Sequence, residues 1–211
     1  MSPRSSYQNE RIREKKSALI REAALELFAG KGYHAATISD IARRAGISKG
    51  LMYNYYAGKE ELLSAIVRES AEEVCAYFDI NRDGYLTEEE FVFFIRKIAQ
   101  VLREKKEFWR LFFRLIMQNE VRSRVPGWLN ATPGSRDSES PPEFFLPGML
   151  ETISGYFRRK GEAGGDGFDP VQEMKLFLMT LMGFAMTFVF NEQDDEEQFN
   201  QSLDALVRSY R

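Results

Sequence analysis

Oxygen-bearing residues recur at regular intervals within one twelve-residue segment, residues 79–90. The first, third, fifth, seventh, ninth and twelfth positions hold Asp79, Asn81, Asp83, Tyr85, Thr87 and Glu90. Gly84 at the sixth position permits a sharp turn, Tyr85 would offer its backbone carbonyl, and Glu90 is placed to act as a bidentate carboxylate. Calcium takes six to eight hard oxygen ligands in a flexible cage. The spacing therefore predicts that a calcium ion is bound here as a cofactor.

This pattern is that of an EF-hand loop, in which Leu86 at the eighth position is expected to anchor the loop on the core. EF-hands usually work in pairs, and the sequence contains a single loop of this kind. The same residues also fit a simpler structure, an Asx-rich turn after which Thr87 caps a helix with an acidic first turn. Both interpretations stay open. If calcium binds, its role can be structural or that of a switch, and we favour the structural one.

A second group of polar residues follows a glycine-containing turn near the start of the chain. Thr37 is the expected N-cap of one short helix, Gly46 permits a tight turn, and Ser48 is the expected N-cap of a second helix over 49–56. Two helices joined in this way can present the second one to the major groove of DNA. The residues expected to be exposed on it are Lys49, Gly50, Tyr53, Asn54 and Tyr55. Lysine and asparagine can read base edges and tyrosine can bind phosphates, so the segment predicts contact with double-stranded DNA.

The charge distribution agrees with a head that meets a polyanion. Residues 1–60 contain 11 Lys and Arg against 6 Asp and Glu, a net charge of +5. Residues 61–211 contain 18 against 26, a net charge of −8. A basic head on an acidic body favours a nucleic-acid partner. Clustering by chance would also produce a surplus of this size, so the charge alone favours DNA only slightly.

Three stretches carry a specific resemblance to a known family. They read AALELFAGKGY over 23–33, TISDIARRAGISKGLMYNYY over 37–56, and KEELL over 59–63. Their order and spacing resemble the head of TetR-family transcriptional regulators, over about residues 12–65. The resemblance implies an all-α homodimer in which a three-helix head carries the helix-turn-helix and a larger helical body binds an effector and dimerises. It also implies a palindromic operator and, most often, a repressor.

The resemblance assigns roles to individual residues of the head. Thr37 and Ser39 would lie at the start of the positioning helix, near the DNA backbone. The residues that would open the recognition helix over the base edges are Ser48, Lys49, Gly50 and Leu51. Those that would contact the backbone beyond it are Tyr53, Tyr55 and Lys59 at phosphates, with Asn54 at a base or the backbone. Leu51 departs from the small hydroxyl residue common at its position, which leaves the base preference open, and Tyr56 is expected in the core.

The elements that position these residues are helical. Helical periodicity recurs along the chain, and no segment reads as a strand ladder. The expected fold class is all-α, with a three-helix helix-turn-helix head followed by a larger effector and dimerisation bundle. We expect a DNA-binding domain over 1–60 and a regulatory and dimerisation domain over 61–211, which includes the loop 79–90. Further helices are expected over 59–78, 106–120, 145–160, 170–190 and 195–210.

The helix expected over 170–190 is apolar nearly all round. It must be covered by its own bundle or by a second subunit, and we expect it to form a two-fold homodimer interface together with the last helix. Its uncharged run, 176–190, is 15 residues long, which is short for a membrane span of about 20 residues. A buried core helix, and no membrane partner, is therefore the expectation.

Composition excludes several other classes of function. The single cysteine, Cys75, and the single histidine, His34, exclude a disulfide framework, cysteine-cluster zinc sites and most histidine metal sites. No glycine-rich phosphate loop or catalytic signature is present, so an enzyme is not expected. The polar first residues lack a signal-peptide core, which predicts a cytoplasmic protein.

The many phenylalanines and methionines of the body are expected in its core, where some can line a pocket for a small apolar effector. The main alternative to a TetR-like regulator is a helical calcium sensor or buffer whose head binds another protein.

Overall fold

The computed structural model describes residues 6–78, 81, 83–122, 149–164, 168–193 and 195–211. Within these ranges all regular secondary structure is helical. The helices are α1 (Ser6–Lys31), α2 (Ile38–Arg44), α3 (Lys49–Met52), α4 (Lys59–Cys75), α5 (Glu88–Glu104), α6 (Lys106–Ile116), α7 (Asn119–Arg122), α8 (Met149–Gly164), α9 (Pro170–Phe190) and α10 (Glu196–Tyr210). The expected all-α class is confirmed.

Several helices are shorter than the periodicity predicted. α3 ends at Met52 rather than residue 56, α4 ends at Cys75 rather than residue 78, and the helix expected over 106–120 is divided into α6 and α7. At each of these ends the backbone tightens to bonds between residues three apart, such as Asn54 N–H to the Leu51 carbonyl at 3.1 Å. Residues 145–148, expected to open the next helix, lie outside the described residues.

The described chain divides into two compact units. The first contains residues 6–69 together with 114–122, and the second contains 70–113 together with the described part of 149–211. We had expected the head to end at residue 60, whereas this first unit continues to residue 69. It also takes in the end of α6 and all of α7, which are far away in sequence.

The first unit packs its helices around one apolar core. Its residues with no exposed surface include Ile20, Phe28, Ile41, Met52 and Leu62. They come from each of the first four helices, so burial of apolar surface holds the two short helices against the long ones. Tyr56 is 6% exposed, which confirms that it belongs to the core.

Aromatic rings dominate the core of the second unit. Phe91 of α5 stacks on Tyr156 of α8, with ring centroids 4.3 Å apart, and lies 4.9 Å from Phe177 of α9. Phe177 in turn lies 5.2 Å from Tyr210 of α10. Offset and edge-to-face pairs of this kind add to the free energy gained from burial. Four helices therefore meet at one aromatic cluster.

α9 differs from the buried core helix that we expected. Only Met174, Phe177, Ala185 and Val189 are buried along its 21 residues. An exposed stripe runs along its whole length, made of Leu176, Met179, Thr180, Gly183, Thr187 and Phe190. By length and composition α9 could cross a membrane, but the same is true of helices that other protein surfaces cover. Among the described residues α9 is therefore only partly covered, rather than buried on all sides.

Candidate nucleic-acid interface

The start of α2 is fixed by a short polar network around Thr37. The Thr37 hydroxyl accepts a hydrogen bond from Asp40 N–H at 3.1 Å and donates one to the Asp40 carboxylate at 2.9 Å. Arg43 donates to the same carboxylate at 2.6 Å. The pKa of Asp40 is lowered chiefly by the Thr37 hydrogen bond, and the nearby charges of Lys31 and Arg43 lower it further. Thr37 is thus the N-cap, as predicted, and its hydroxyl is already in use.

The turn between α2 and α3 has the geometry of a helix-turn-helix. Gly46 adopts a φ of +67°, a left-handed conformation that a residue with a Cβ rarely adopts. The Ile47 N–H then bonds to the Ala42 carbonyl at 3.0 Å. The Ser48 hydroxyl accepts the Leu51 N–H at 3.1 Å and caps α3. Both predicted caps of the motif are therefore confirmed.

The predicted DNA-contacting residues lie mainly on the surface of the first unit. Those that are exposed are Thr37, Ser39, Ser48, Lys49, Gly50, Tyr53 and Asn54. Leu51, Tyr55 and Lys59 are half-buried. Tyr53 is 51% exposed, so its side chain is accessible from solvent. The roles of these residues in DNA contact stay predictions.

A hydrogen-bond network that the sequence did not predict links α1 and α4 to Tyr56, which follows α3. Ser17 Oγ and Tyr56 Oη share a hydrogen bond of 2.7 Å, and Arg21 of α1 donates to both oxygens. Arg21 also forms a bidentate ion pair with Glu69 of α4, at 2.5 and 2.9 Å. Burial opposes the charge of Arg21, but the hydrogen bonds that it donates to Glu69 and Tyr56 outweigh this effect and raise the pKa of the guanidinium. The network joins α1, the turn after α3, and α4.

The N-terminal half of α1 also contacts the residues that follow α3. Arg13 donates to the Asn54 carbonyl at 3.4 Å, and its guanidinium carbon lies 5.7 Å from the centre of the Tyr55 ring. Tyr55 is thereby held in place beside a positive charge. Such a position suits a tyrosine expected to face a phosphate.

Lys59 lies at the start of α4, and its ammonium is used within the head. Nζ donates to the carbonyls of Tyr33 and His34, at 2.9 and 3.1 Å. An ammonium has three N–H donors, so one remains for the phosphate contact that the resemblance assigned to it. That contact stays a prediction.

The described part of the calcium-loop segment forms hydrogen bonds within itself. Asp83 N–H bonds to Asn81 Oδ1 at 3.3 Å, and Tyr85 N–H bonds to Asp83 Oδ1 at 2.8 Å. Thr87 and Glu90 form a reciprocal capping box at the start of α5, as the simpler interpretation of the segment predicted. Asp79, the first predicted ligand, lies outside the described residues. Among the residues that the structure describes, no cluster of three or more acidic, histidine or cysteine side chains could hold a metal.

Comparison with known proteins shows which family the head resembles. The family "Bacterial regulatory proteins, tetR family" matches residues 20–66. This segment is therefore similar to the DNA-binding head of that family. Among curated proteins, the uncharacterised HTH-type transcriptional regulator YuxN of Bacillus subtilis is 44% identical over 54 residues, which are 26% of this chain and 19% of that protein. The fatty acid metabolism regulator protein of B. subtilis is 40% identical over 50 residues, or 24% of this chain and 26% of the relative. The chain thus aligns with about a quarter or less of these relatives.

Solved structures extend the likeness to the whole fold. The fatty acid degradation regulator FadR of Bacillus halodurans aligns with a TM-score of 0.66 and 19% identity, over 93% of this chain and 96% of its own. FadR of B. subtilis, solved in complex with stearoyl-CoA, aligns with a TM-score of 0.63 and 21% identity, over 92% and 99%. The predicted architecture of a helix-turn-helix head and a larger helical body is confirmed. These relatives are named as regulators, which agrees with the expectation that the chain is not an enzyme.

Proposed function

We propose that this chain is a TetR-type transcriptional regulator that binds double-stranded DNA through α2 and α3. The observation that carries the proposal is the capped, exposed start of α3, where Ser48, Lys49 and Gly50 lie on the surface of a head similar to that of the TetR family. Lysine at this position can bind a guanine edge or a phosphate, and the glycine allows close approach of the backbone. Tyr53, which is 51% exposed, extends the same surface.

A binding titration against the promoter region of its own gene tests this function. Lys49→Ala combined with Tyr53→Phe should weaken binding and reduce its dependence on salt, because phosphate contacts release counterions. Lys97→Ala, which removes a lysine from α5 in the second unit, is the matched control and should bind like the wild type. Unchanged affinity in the double variant would show that α3 is not the recognition helix. A wild type that binds no DNA would favour the alternative, a head that binds another protein.

The protein would act as a homodimer assembled through α9 and α10. The exposed stripe of α9 includes the small residues Thr180, Gly183 and Thr187. α10 contributes Ser202, Ala205 and Ser209 to the same surface, and together the two helices line a groove of about 600 Å³. Small side chains let a second pair of helices approach closely. A two-fold interface of four helices would bury the apolar surface of α9 and set the spacing of two half-sites in a palindromic operator.

We propose that the second unit binds a small apolar effector and that the protein acts as a repressor released by it. The aromatic character of α6 supports this proposal, since Phe108, Trp109 and Phe112 lie side by side along the helix. Trp109 is 3% exposed, and its indole N–H has no acceptor among the described residues. A buried donor without an acceptor costs free energy, which a ligand carbonyl or carboxylate would recover. FadR of B. subtilis was solved with stearoyl-CoA, which makes long-chain acyl compounds the first to test.

The effector proposal is tested by thermal shift with a panel of fatty acids and acyl-CoA thioesters. A ligand that binds the native state raises the unfolding temperature. Trp109→Phe keeps most of the ring and removes the donor, so the shift should shrink while the unliganded protein stays folded. Operator binding that is unaffected by a ligand that does bind would contradict the repressor mechanism.

We also propose that the segment 79–90 binds calcium, with Asp79, Asn81, Asp83, Tyr85, Thr87 and Glu90 as ligands. Two features support this beyond the spacing of the residues. Gly84 has a φ of +73°, as a sharp turn at the sixth position requires, and Leu86 is 1% exposed, as an anchoring residue should be. Glu90 Oε2 accepts from Thr87 N–H and Oγ1 at 2.9 and 3.0 Å, so bidentate binding of a metal would compete with this cap.

Calorimetry on the wild type and Glu90→Gln tests the calcium proposal. With three carboxylates and a single loop, we expect a dissociation constant of roughly 10⁻⁵–10⁻³ M, abolished in the variant. Equal and negligible heats for both would leave the segment as a capped turn. DNA titrations with calcium and with chelator then separate the two roles, since a switch requires that calcium and DNA change each other's affinity by the same factor. We expect equal DNA affinities with calcium and with chelator, as a structural ion predicts.

A regulator of this type would work in the cytoplasm, where its operator lies.

A further inference from the structure

One side chain of the first unit comes from far outside the residues that match the family. Gln118 follows α6, and its amide bonds to two backbone groups at the end of α1. Its Oε1 accepts from Tyr33 N–H at 2.9 Å, and its Nε2 donates to the Phe28 carbonyl at 2.7 Å. These partners are 85 and 90 residues earlier in the sequence. The family match covers 20–66 only, so nothing in it accounts for this contact.

Only a carboxamide long enough to reach can make both bonds at once. The Gln side chain offers a carbonyl acceptor and an N–H₂ donor on one planar group, whereas lysine, arginine and ionised glutamate offer one kind only. Both partners are backbone atoms of deeply buried residues, since Phe28 is 0% and Tyr33 1% exposed. The Phe28 carbonyl also accepts from Gly32 N–H at 3.1 Å, and a backbone group that loses a partner in such a place costs free energy. The two bonds therefore specify the path of the chain as it leaves α1.

The segment that Gln118 holds leads directly into the helix-turn-helix. The chain turns at Gly32, with a φ of +93°, and passes through Tyr33 and His34 to the N-cap Thr37. Lys59 binds the carbonyls of Tyr33 and His34 from the side of α4. The backbone before α2 is thus held at its N–H by Gln118 and at its carbonyls by Lys59.

Gln118 is itself held in position by its own backbone. Its N–H bonds to the Leu115 carbonyl at 3.2 Å, and its carbonyl accepts from Val121 and Arg122 N–H at 3.0 and 2.8 Å. It therefore lies at the junction of α6 and α7, with its backbone donor and acceptor both satisfied. A side chain projecting from such a junction has a well-defined origin and can act as a positioning group.

We infer that Gln118 is a positioning residue for DNA recognition, which fixes the α1–α2 turn and through it the orientation of α2 and α3. This inference rests on the proposed DNA-binding function. A tilted recognition helix loses the base contacts that need exact placement, while electrostatic attraction to the phosphates tolerates the change. Loss of Gln118 should therefore lower affinity for the operator more than affinity for unrelated DNA.

The test compares Gln118→Glu and Gln118→Ala with the wild type on operator and unrelated duplexes. Gln118→Glu keeps the acceptor for Tyr33 N–H but sets a carboxylate oxygen against the Phe28 carbonyl. We expect the ratio of operator affinity to non-specific affinity to fall about tenfold in each variant, equivalent to about 1.4 kcal/mol, with the salt slope unchanged because no phosphate contact is lost. Gln100→Glu, an exposed glutamine of α5, is the control and should keep the wild-type ratio.

Two results would overturn the inference. One is an unchanged affinity for both kinds of DNA in both variants. The other is an equal loss on both kinds of DNA, which is what partial unfolding would cause, and melting curves of each variant identify that case. If the wild type binds no DNA, the proposed function fails instead. Hydrogen exchange then still tests the positioning role, because Gln118→Ala should speed exchange at Tyr33 and at the first amides of α2, and unchanged exchange there would contradict it.

Discussion

The ammonium of Lys59 lies 2.9 Å from the carbonyl oxygen of Tyr33 and 5.0 Å from the centre of the same residue's ring. One lysine thus binds both the backbone and the aromatic face of a buried residue. Lys59, to which the sequence resemblance assigned a phosphate contact, therefore also stabilises the head. Any substitution at Lys59 must therefore be read for stability and for affinity separately.

Lys59→Met keeps the apolar stem and removes the charge and all donors. We expect the free energy of unfolding to fall by about 1 kcal/mol, because two carbonyl bonds are lost. If the third N–H binds a phosphate, the salt slope of DNA binding should also fall by about 1. Urea unfolding and salt titrations measure the two effects. A smaller stability with an unchanged slope would remove Lys59 from the DNA-contacting set.

Ser48→Ala should destabilise α3 selectively. The hydroxyl supplies the cap of a helix of only four residues, and loss of such a cap costs about 1 kcal/mol. DNA affinity should fall as well, since the start of α3 would fray in the free protein. Ser64→Ala, at an exposed position on α4, is the control for urea unfolding and DNA titration. Equal behaviour of the two variants would show that the cap contributes nothing.

Gly183→Trp should separate the proposed dimer. A Cβ at Gly183 meets no atom within 4 Å in the single chain, so the indole can be accommodated by the monomer but would occupy the groove between α9 and α10. Sedimentation at micromolar concentration should show a dimer for the wild type and a monomer for the variant. Gln100→Trp, an equally bulky change at an exposed position of α5, should remain dimeric. A wild type that sediments as a monomer would contradict the proposed assembly.

Asp40 should make the free energy of unfolding of the head depend on pH in the acidic range. Its pKa is lowered below the ordinary 3.8 in the folded state, so the unfolded chain takes up its proton first as the pH falls. The stabilisation is fully present above the unfolded pKa and is lost as the pH falls through the folded one. The wild type should therefore exceed Asp40→Asn in urea stability at pH 6, and the difference should shrink below pH 3.8. A difference that is the same at both pH values would contradict the assignment.

The parts of the fold that the sequence predicted well are those decided by near neighbours. Thr37, Ser48 and Thr87 cap helices because their side chains bond to backbone groups three residues away. The length of α3 was overestimated because Tyr56 is held by Ser17 and Arg21 of α1, and such a tertiary contact leaves no local signature.

Residues that act across long sequence separations could not be found in the same way. The residues next to Gln118 in the sequence form no recognisable motif. Its role follows only from the fold, which brings it to Phe28 and Tyr33. The exposed stripe of α9 could not be predicted either, because the sequence of a helix that is apolar on every side does not indicate which side remains uncovered. The calcium loop stays a prediction because its first ligand, Asp79, lies outside the described residues.

The first unit consists of two separate stretches of chain, 6–69 and 114–122. A head made of two such stretches cannot be cut out of the chain at a single point. A chimera that joined residues 1–69 to the body of another regulator would leave the Phe28 carbonyl and the Tyr33 amide without the Gln118 carboxamide. Exchange of specificity between such regulators would then succeed only where the new body carries an equivalent glutamine, or where both segments are transplanted together.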